Sequence, residues 1–81
     1  MPSGVVFEVE QAGCSSCADR VSAALAAVGH VEEVVFDETR DTARVRLLGA
    51  VTPTAAAAAL NLASEGSGHS YRIRKGSWRT L

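Results

Sequence analysis

The sequence has little cysteine, little proline, few aromatic residues and no long apolar run. There are two cysteines, two prolines and four aromatic side chains in 81 residues. No stretch approaches the roughly 18 apolar residues of a membrane-spanning helix. The N-terminus lacks the basic segment and apolar run of a signal peptide, and Glu8 and Glu10 would interrupt one. A cytoplasmic location is therefore expected. In a reducing compartment, two close cysteines are better suited to ligand or redox chemistry than to a structural staple. Nor is there an excess of positive charge. The formal net charge is −1, which argues against a nucleic-acid binder.

The charge is unevenly distributed. All nine acidic residues precede Ser70, against four basic ones there, while Arg72, Arg74, Lys75 and Arg79 follow it with no acid. Such asymmetry can orient a charged partner, or can simply be the solvated side of a last strand and its tail. With 81 residues the chain makes one domain, and its core must be thin.

The pattern along the chain is regular. Val5, Phe7 and Val9 alternate with Val6, Glu8 and Glu10, predicting a half-buried strand to about Gln11. After Ala12-Gly13, Ser15 or Ser16 can cap a helix reaching Val28, with Val21, Leu25 and Val28 on one face and Gly29 as a left-handed cap. Val31 to Phe36 and Ala43 to Leu47 read as a hairpin joined by the polar turn 37–41. Thr52-Pro53 starts a second helix, which the alanine run continues to Ser64. A glycine-rich loop leads to a fourth strand around Tyr71 to Arg74. The order strand, helix, strand, strand, helix, strand predicts an α+β, ferredoxin-like βαββαβ sandwich: a four-stranded antiparallel sheet with two helices on one face. Residues 1–75 make the domain. Residues 76–81 form a tail without an assignable pattern, and the role of Trp78 stays open between a tail anchor and an unanchored side chain.

The chemistry lies at Gly13-Cys14-Ser15-Ser16-Cys17. Cys14 falls in the loop before the first helix and Cys17 in its first turn, so both sulfurs can reach one ion. The helix N-terminus offers unpaired N–H groups and partial positive charge, which favour thiolate. Glycine and serine neighbours suit an exposed loop, and a disulfide closing so short a loop would be a poor staple. Two thiolates select soft ions. Cu(I) and Hg(II) accept two sulfur ligands, whereas Zn(II) normally takes four and would need further donors. Cu(I) leads on ligand count.

These residues resemble the heavy-metal-associated domain family of copper chaperones and the N-terminal domains of metal-transporting P-type ATPases. The resemblance covers residues 4–75. It rests on the Gly13–Cys17 motif, on the Val28–Val34 segment as a helix-to-strand turn, and on Ser70-Tyr71-Arg72-Ile73 as a closing strand. It implies metal at the exposed loop and transient docking to a partner such as a metal-transporting P-type ATPase or a similar domain, with exchange from thiolate to thiolate. A monomer is expected, with a metal-bridged pair as the alternative state, and the charge balance and the missing apolar span predict no nucleic-acid or membrane partner. Where the family has Met two residues before the first cysteine, Ala12 stands here, and Gly13 replaces the usual Thr. Ala12 leaves the ligands intact but thins the packing beneath the loop, and Gly13 loosens the backbone. His69, in the loop expected beside the metal, becomes a candidate third ligand to Cys14 and Cys17, as in some bacterial members, the alternative being an exposed histidine in a loop made mobile by Gly66 and Gly68. Tyr71 is expected near the loop with its hydroxyl at the surface. His30 belongs at the opposite helix end.

Two other classes compete with a non-enzymatic metal carrier. A thiol–disulfide redox protein would also place Cys-x-x-Cys at a helix start, but such proteins usually have an aromatic residue before the first cysteine and a cis-proline facing the pair. Here Gly13 precedes Cys14, and Pro53 is a helix starter. A ferredoxin-like interaction module with incidental cysteines is the remaining reading. The starting Met and the length of one whole fold lead us to expect a free protein.

Overall fold

The computed structural model describes residues 3–81. The elements follow in the order β1 (Gly4–Glu10), α1 (Ser15–Leu25), β2 (His30–Asp37), β3 (Thr42–Leu48), α2 (Pro53–Ser64), β4 (Arg72–Ile73) and β5 (Arg79–Thr80). The sheet runs β2-β3-β1-β4 with every pairing antiparallel, and β5 also pairs with β1. The expected ferredoxin-like βαββαβ arrangement is present, with one short strand added.

Alternation in β1 and β3 builds the core. Val5, Phe7 and Val9 stand opposite Leu47, Val45 and Ala43, and all six are buried. A slip of one residue would turn this apolar row to solvent, so the hydrophobic pattern holds the register. The helices cover the row with Cys17, Ala18, Val21 and Leu25 from α1 and Ala56, Ala59 and Leu60 from α2. Thr52 caps α2 as expected, its hydroxyl accepting the Ala55 N–H at 3.2 Å. Among the described residues, no helix is long and apolar enough to cross a membrane.

The end of the first helix differs from the sequence expectation. Helix α1 ends at Leu25, not Val28, and Gly29 does not adopt a left-handed conformation. A Cβ there would lie 2.7 Å from the Leu48 carbonyl oxygen, so glycine serves a close chain crossing rather than a cap. In β2 a register shift between Val31 and Glu33 breaks the alternation. Val31 and Val34 thereby both pack against the core, although a regular strand would set residues three apart on opposite faces.

Segment 76–81, patternless in sequence, is tied into the sheet. Arg74 donates its N–H to the Glu8 carbonyl at 2.8 Å, and Leu81 donates to the Gly4 carbonyl at 2.8 Å. Between these points a turn closes with the Ser77 N–H on the Arg74 carbonyl at 3.1 Å, with Gly76 at φ 81°. The turn bulges from the edge, and Ser77 Oγ returns to accept the Glu8 N–H at 3.1 Å. Trp78 stacks on Phe7 with ring centroids 5.0 Å apart. The tail anchor is therefore the reading the structure bears out.

The turn between β2 and β3 supports the β1–α1 loop. Asp41 accepts the Ala12 N–H on its carbonyl at 3.3 Å and the Gly13 N–H on Oδ1 at 3.2 Å. A Cβ on Gly13 would meet the Asp41 backbone at 2.5 Å and the Asp37 carbonyl oxygen at 2.8 Å. Glycine is thus the residue that lets the two chains touch, and the expectation that Gly13 loosens the loop is corrected: it permits the loop to dock.

Two outcomes follow from these contacts. Gly13→Ala should destabilise the fold by about 1–3 kcal/mol, because the obstructing atoms are backbone. Urea unfolding would measure the loss, and amide shifts should move at Asp41; an unchanged midpoint would contradict the close approach. Trp78→Ala should lose roughly 2 kcal/mol from the aromatic stack and its buried area. A change within about 0.5 kcal/mol, the range of an ordinary surface substitution, would show the tail to be dispensable.

Candidate metal centre

The core fixes where β1 stops and α1 begins, and the two cysteines lie across that junction. Cys14 is itself the helix cap, in extended conformation with φ −120° and ψ 160°. The expectation that Ser15 or Ser16 caps the helix is corrected by one or two positions, since both lie inside it. Cys14 Sγ accepts the Cys17 N–H at 3.2 Å, and the Cys14 carbonyl accepts the Ala18 N–H at 2.9 Å to begin the helical ladder. A neutral sulfur is a weak acceptor, but a thiolate in the same place gains a charge-assisted bond together with the helix end's partial positive charge. Ser16 Oγ, 3.4 Å from Cys14 Sγ, is a second polar neighbour.

Cys14 and Cys17 are joined as a disulfide, with Cα atoms 5.1 Å apart. The sulfurs therefore converge as the spacing requires. A bridge across three residues constrains little of the unfolded chain. Reduction by two electrons and two protons gives the dithiol, whose ionised form is the one able to hold a soft ion. The cysteines differ in setting. Cys17 is only 3 % exposed, because its place in the first turn of α1 faces inward with Val21 one turn on. Cys14 is partly exposed at the edge of the same core. The expectation of two exposed cysteines thus holds for Cys14 alone. Ala12 is completely buried in that core.

His69 is not gathered with the pair. It is exposed, and its ring stacks on Tyr71 with centroids 6.0 Å apart. Among the described residues, no group of three or more His, Cys, Asp or Glu side chains could hold a metal ion. His30 opens β2, just after the turn that ends α1, and is exposed. Tyr71 departs from expectation: it is 2 % exposed, and its hydroxyl is buried without a hydrogen-bond partner. Its backbone explains the depth. The Tyr71 N–H is held by Ser64 Oγ at 2.9 Å, and Ser64 donates in turn to the Leu60 carbonyl, which draws the residue against α2.

Two residues that position the loop escape sequence reasoning. Gln11 has φ 61° and turns the chain out of β1, while its Oε1 accepts the Ser70 N–H at 3.0 Å. It links the entry of the cysteine loop to the segment bearing His69. No sequence signal marks it, because glutamine has no preference for left-handed backbone. Asp41, at φ 53°, belongs to a residue type that tolerates this conformation, and its place in a polar turn was the available clue.

A family model for the heavy-metal-associated domain matches residues 6–64, which take in most of β1, the cysteine loop, α1, β2, β3 and α2. A search of curated proteins finds no match. Among solved structures, one described as "Crosstalk between Cu(I) and Zn(II) homeostasis" is 24 % identical, with a TM-score of 0.55 over 94 % of this chain and 97 % of that one. At that identity the likeness speaks for the fold alone. With the family match spanning well over half the chain and enclosing the paired cysteines at the helix start, the protein belongs to the heavy-metal-associated domain family, whose members bind heavy-metal ions.

Proposed function

We propose that the reduced Cys14–Cys17 pair binds a single soft metal ion, Cu(I) foremost, and passes it to a partner protein. The observation that carries this reading is the convergence of the two sulfurs at the start of α1, with the Cys17 N–H directed at Cys14 Sγ. Two sulfur donors suit an ion content with two ligands, which favours Cu(I), with Hg(II) as an alternative guest. Zn(II) would have to complete its shell with water or a second chain. His69, whose ring stacks on Tyr71, is not needed for such a two-sulfur site.

The different burial of the cysteines supports transfer. A buried Cys17 holds its sulfur in a fixed place, while the accessible Cys14 side admits an incoming thiolate. Ligand exchange then proceeds through a shared ion without releasing it to water. The partner proposed is a metal-transporting P-type ATPase or a similar domain, met transiently in the cytoplasm. The protein itself is a carrier or receiver of cargo rather than an enzyme.

The disulfide favours a second reading, thiol–disulfide exchange. Against it, Pro53 starts α2, where its ring suits the first helical position, and is accounted for there. Gly13 is occupied by backbone packing rather than by recognition of a substrate.

An anaerobic Cu(I) titration against a competing chelator separates the two. The reduced protein should take one equivalent, and Cys14→Ser or Cys17→Ser should weaken binding by about a hundredfold or more, at least the loss produced by disturbing a supporting shell. His69→Ala should leave stoichiometry unchanged, and the disulfide form should take no tightly held ion. Equal, weak binding by the wild type and both serine variants would end the metal reading. Catalytic turnover of a disulfide substrate by such a protein would favour the redox one.

A further inference from the structure

The face of the sheet turned away from the helices carries a feature unrelated to the cysteines. Where β1 passes the Arg74–Ser77 turn there is an open cavity of about 560 Å3, within the size range of small-molecule sites. Val6 and Glu8 line its floor, and Arg44, Arg74, Lys75 and Arg79 surround them. The ladder explains the convergence. Arg44 is the cross-strand partner of Glu8, and Arg79 is the partner of Val6, so all four side chains share one face. Arg74 and Lys75 arrive on the turn.

The charges do not balance. Glu8 is the single carboxylate lining the cavity, and it is engaged by Arg74 at 3.2 Å and by Arg40 at 3.5 Å. Among the described residues, Arg44, Lys75 and Arg79 make no ion pair. Three unpaired cations around a concave surface repel one another and concentrate counter-ions there. A monovalent anion would neutralise only part of this excess. Guanidinium groups from two different strands suit bidentate contacts with phosphate or carboxylate oxygens.

We propose that the cavity bounded by Arg44, Arg74, Lys75 and Arg79 binds a small polyanion bearing two or more phosphate or carboxylate groups. The site lies outside the cysteine loop and does not depend on the metal function. Its sequence signature is the run of basic residues after Ser70, and the strap formed by residues 74–81 gives that run a place on the sheet.

Ser77 and Arg79, which flank the sole tryptophan Trp78, both line the cavity, so Trp78 fluorescence is followed as one readout beside the amide shifts. Pyrophosphate and citrate would each be titrated into the full chain at low salt, with amide shifts recorded in parallel. Saturable binding is expected, with shifts centred on Lys75, Gly76, Ser77 and Arg79. Tighter binding of pyrophosphate assigns phosphate as the ligand chemistry, and tighter binding of citrate assigns carboxylate. Lys75→Ala and Arg79→Ala should each weaken the complex about threefold to fivefold, and the double variant about tenfold or more. Raising salt to about 0.5 M should suppress binding. Both side chains are exposed, so the variants retain the fold, which circular dichroism verifies. Cys14→Ser should bind the anions as the wild type does, which keeps this result separate from the metal test. The proposal is overturned by non-saturating shifts spread over all basic residues, by equal affinity in the double variant, or by an oligo-glutamate peptide that binds these residues more tightly than either small anion.

Discussion

The pairing of β1 with β3 is the contact on which the rest of the molecule depends. It aligns Val5, Phe7 and Val9 against Leu47, Val45 and Ala43 and so makes the apolar floor on which both helices rest. The same pairing fixes the end of β1 at Glu10, opposite Thr42, and brings Asp41 next to Gly13. From there the start of α1 and the position of both cysteines follow. The open face is built by the same register, since Glu8 opposite Arg44 is its other side. One strand alignment thereby serves both the cysteine loop and the basic cavity.

Much of this was legible in the sequence because the signals were local. Alternation identified β1 and β3, Thr52-Pro53 marked the start of α2, and three-residue spacing placed the cysteines together. What was not legible depends on distant partners. Gly13 reads as a flexible residue until the backbone of Asp41 is seen against it. Tyr71 reads as a surface phenol until Ser64 is found holding its amide. Residues 79–80 are too few to show a period, and the tail takes its conformation from pairing with β1, the stack on Phe7 and the Arg74–Ser77 turn. The capping role of Cys14 was hidden for another reason. Oxygen-bearing side chains dominate that position, so Ser15 and Ser16 drew the expectation away from the sulfur.

The cysteine site is supported by backbone as much as by side chains. The Cys17 N–H reaches Cys14 Sγ, Asp41 carries the amides of Ala12 and Gly13, and Gln11 joins the loop to Ser70. Such a frame holds the bridged sulfurs in place without a large core, which suits a domain of this size.

The margins of the sheet bear on how this molecule meets others. On one side β2 is interrupted by its register shift and carries Glu32 and Glu33 facing solvent. On the other, β4 and β5 are two residues each and are separated by the projecting turn. Irregular, charged and short borders are poor templates for a foreign strand. Neither border therefore invites a neighbouring chain to extend the sheet, and the particle resists growing into a shared ribbon.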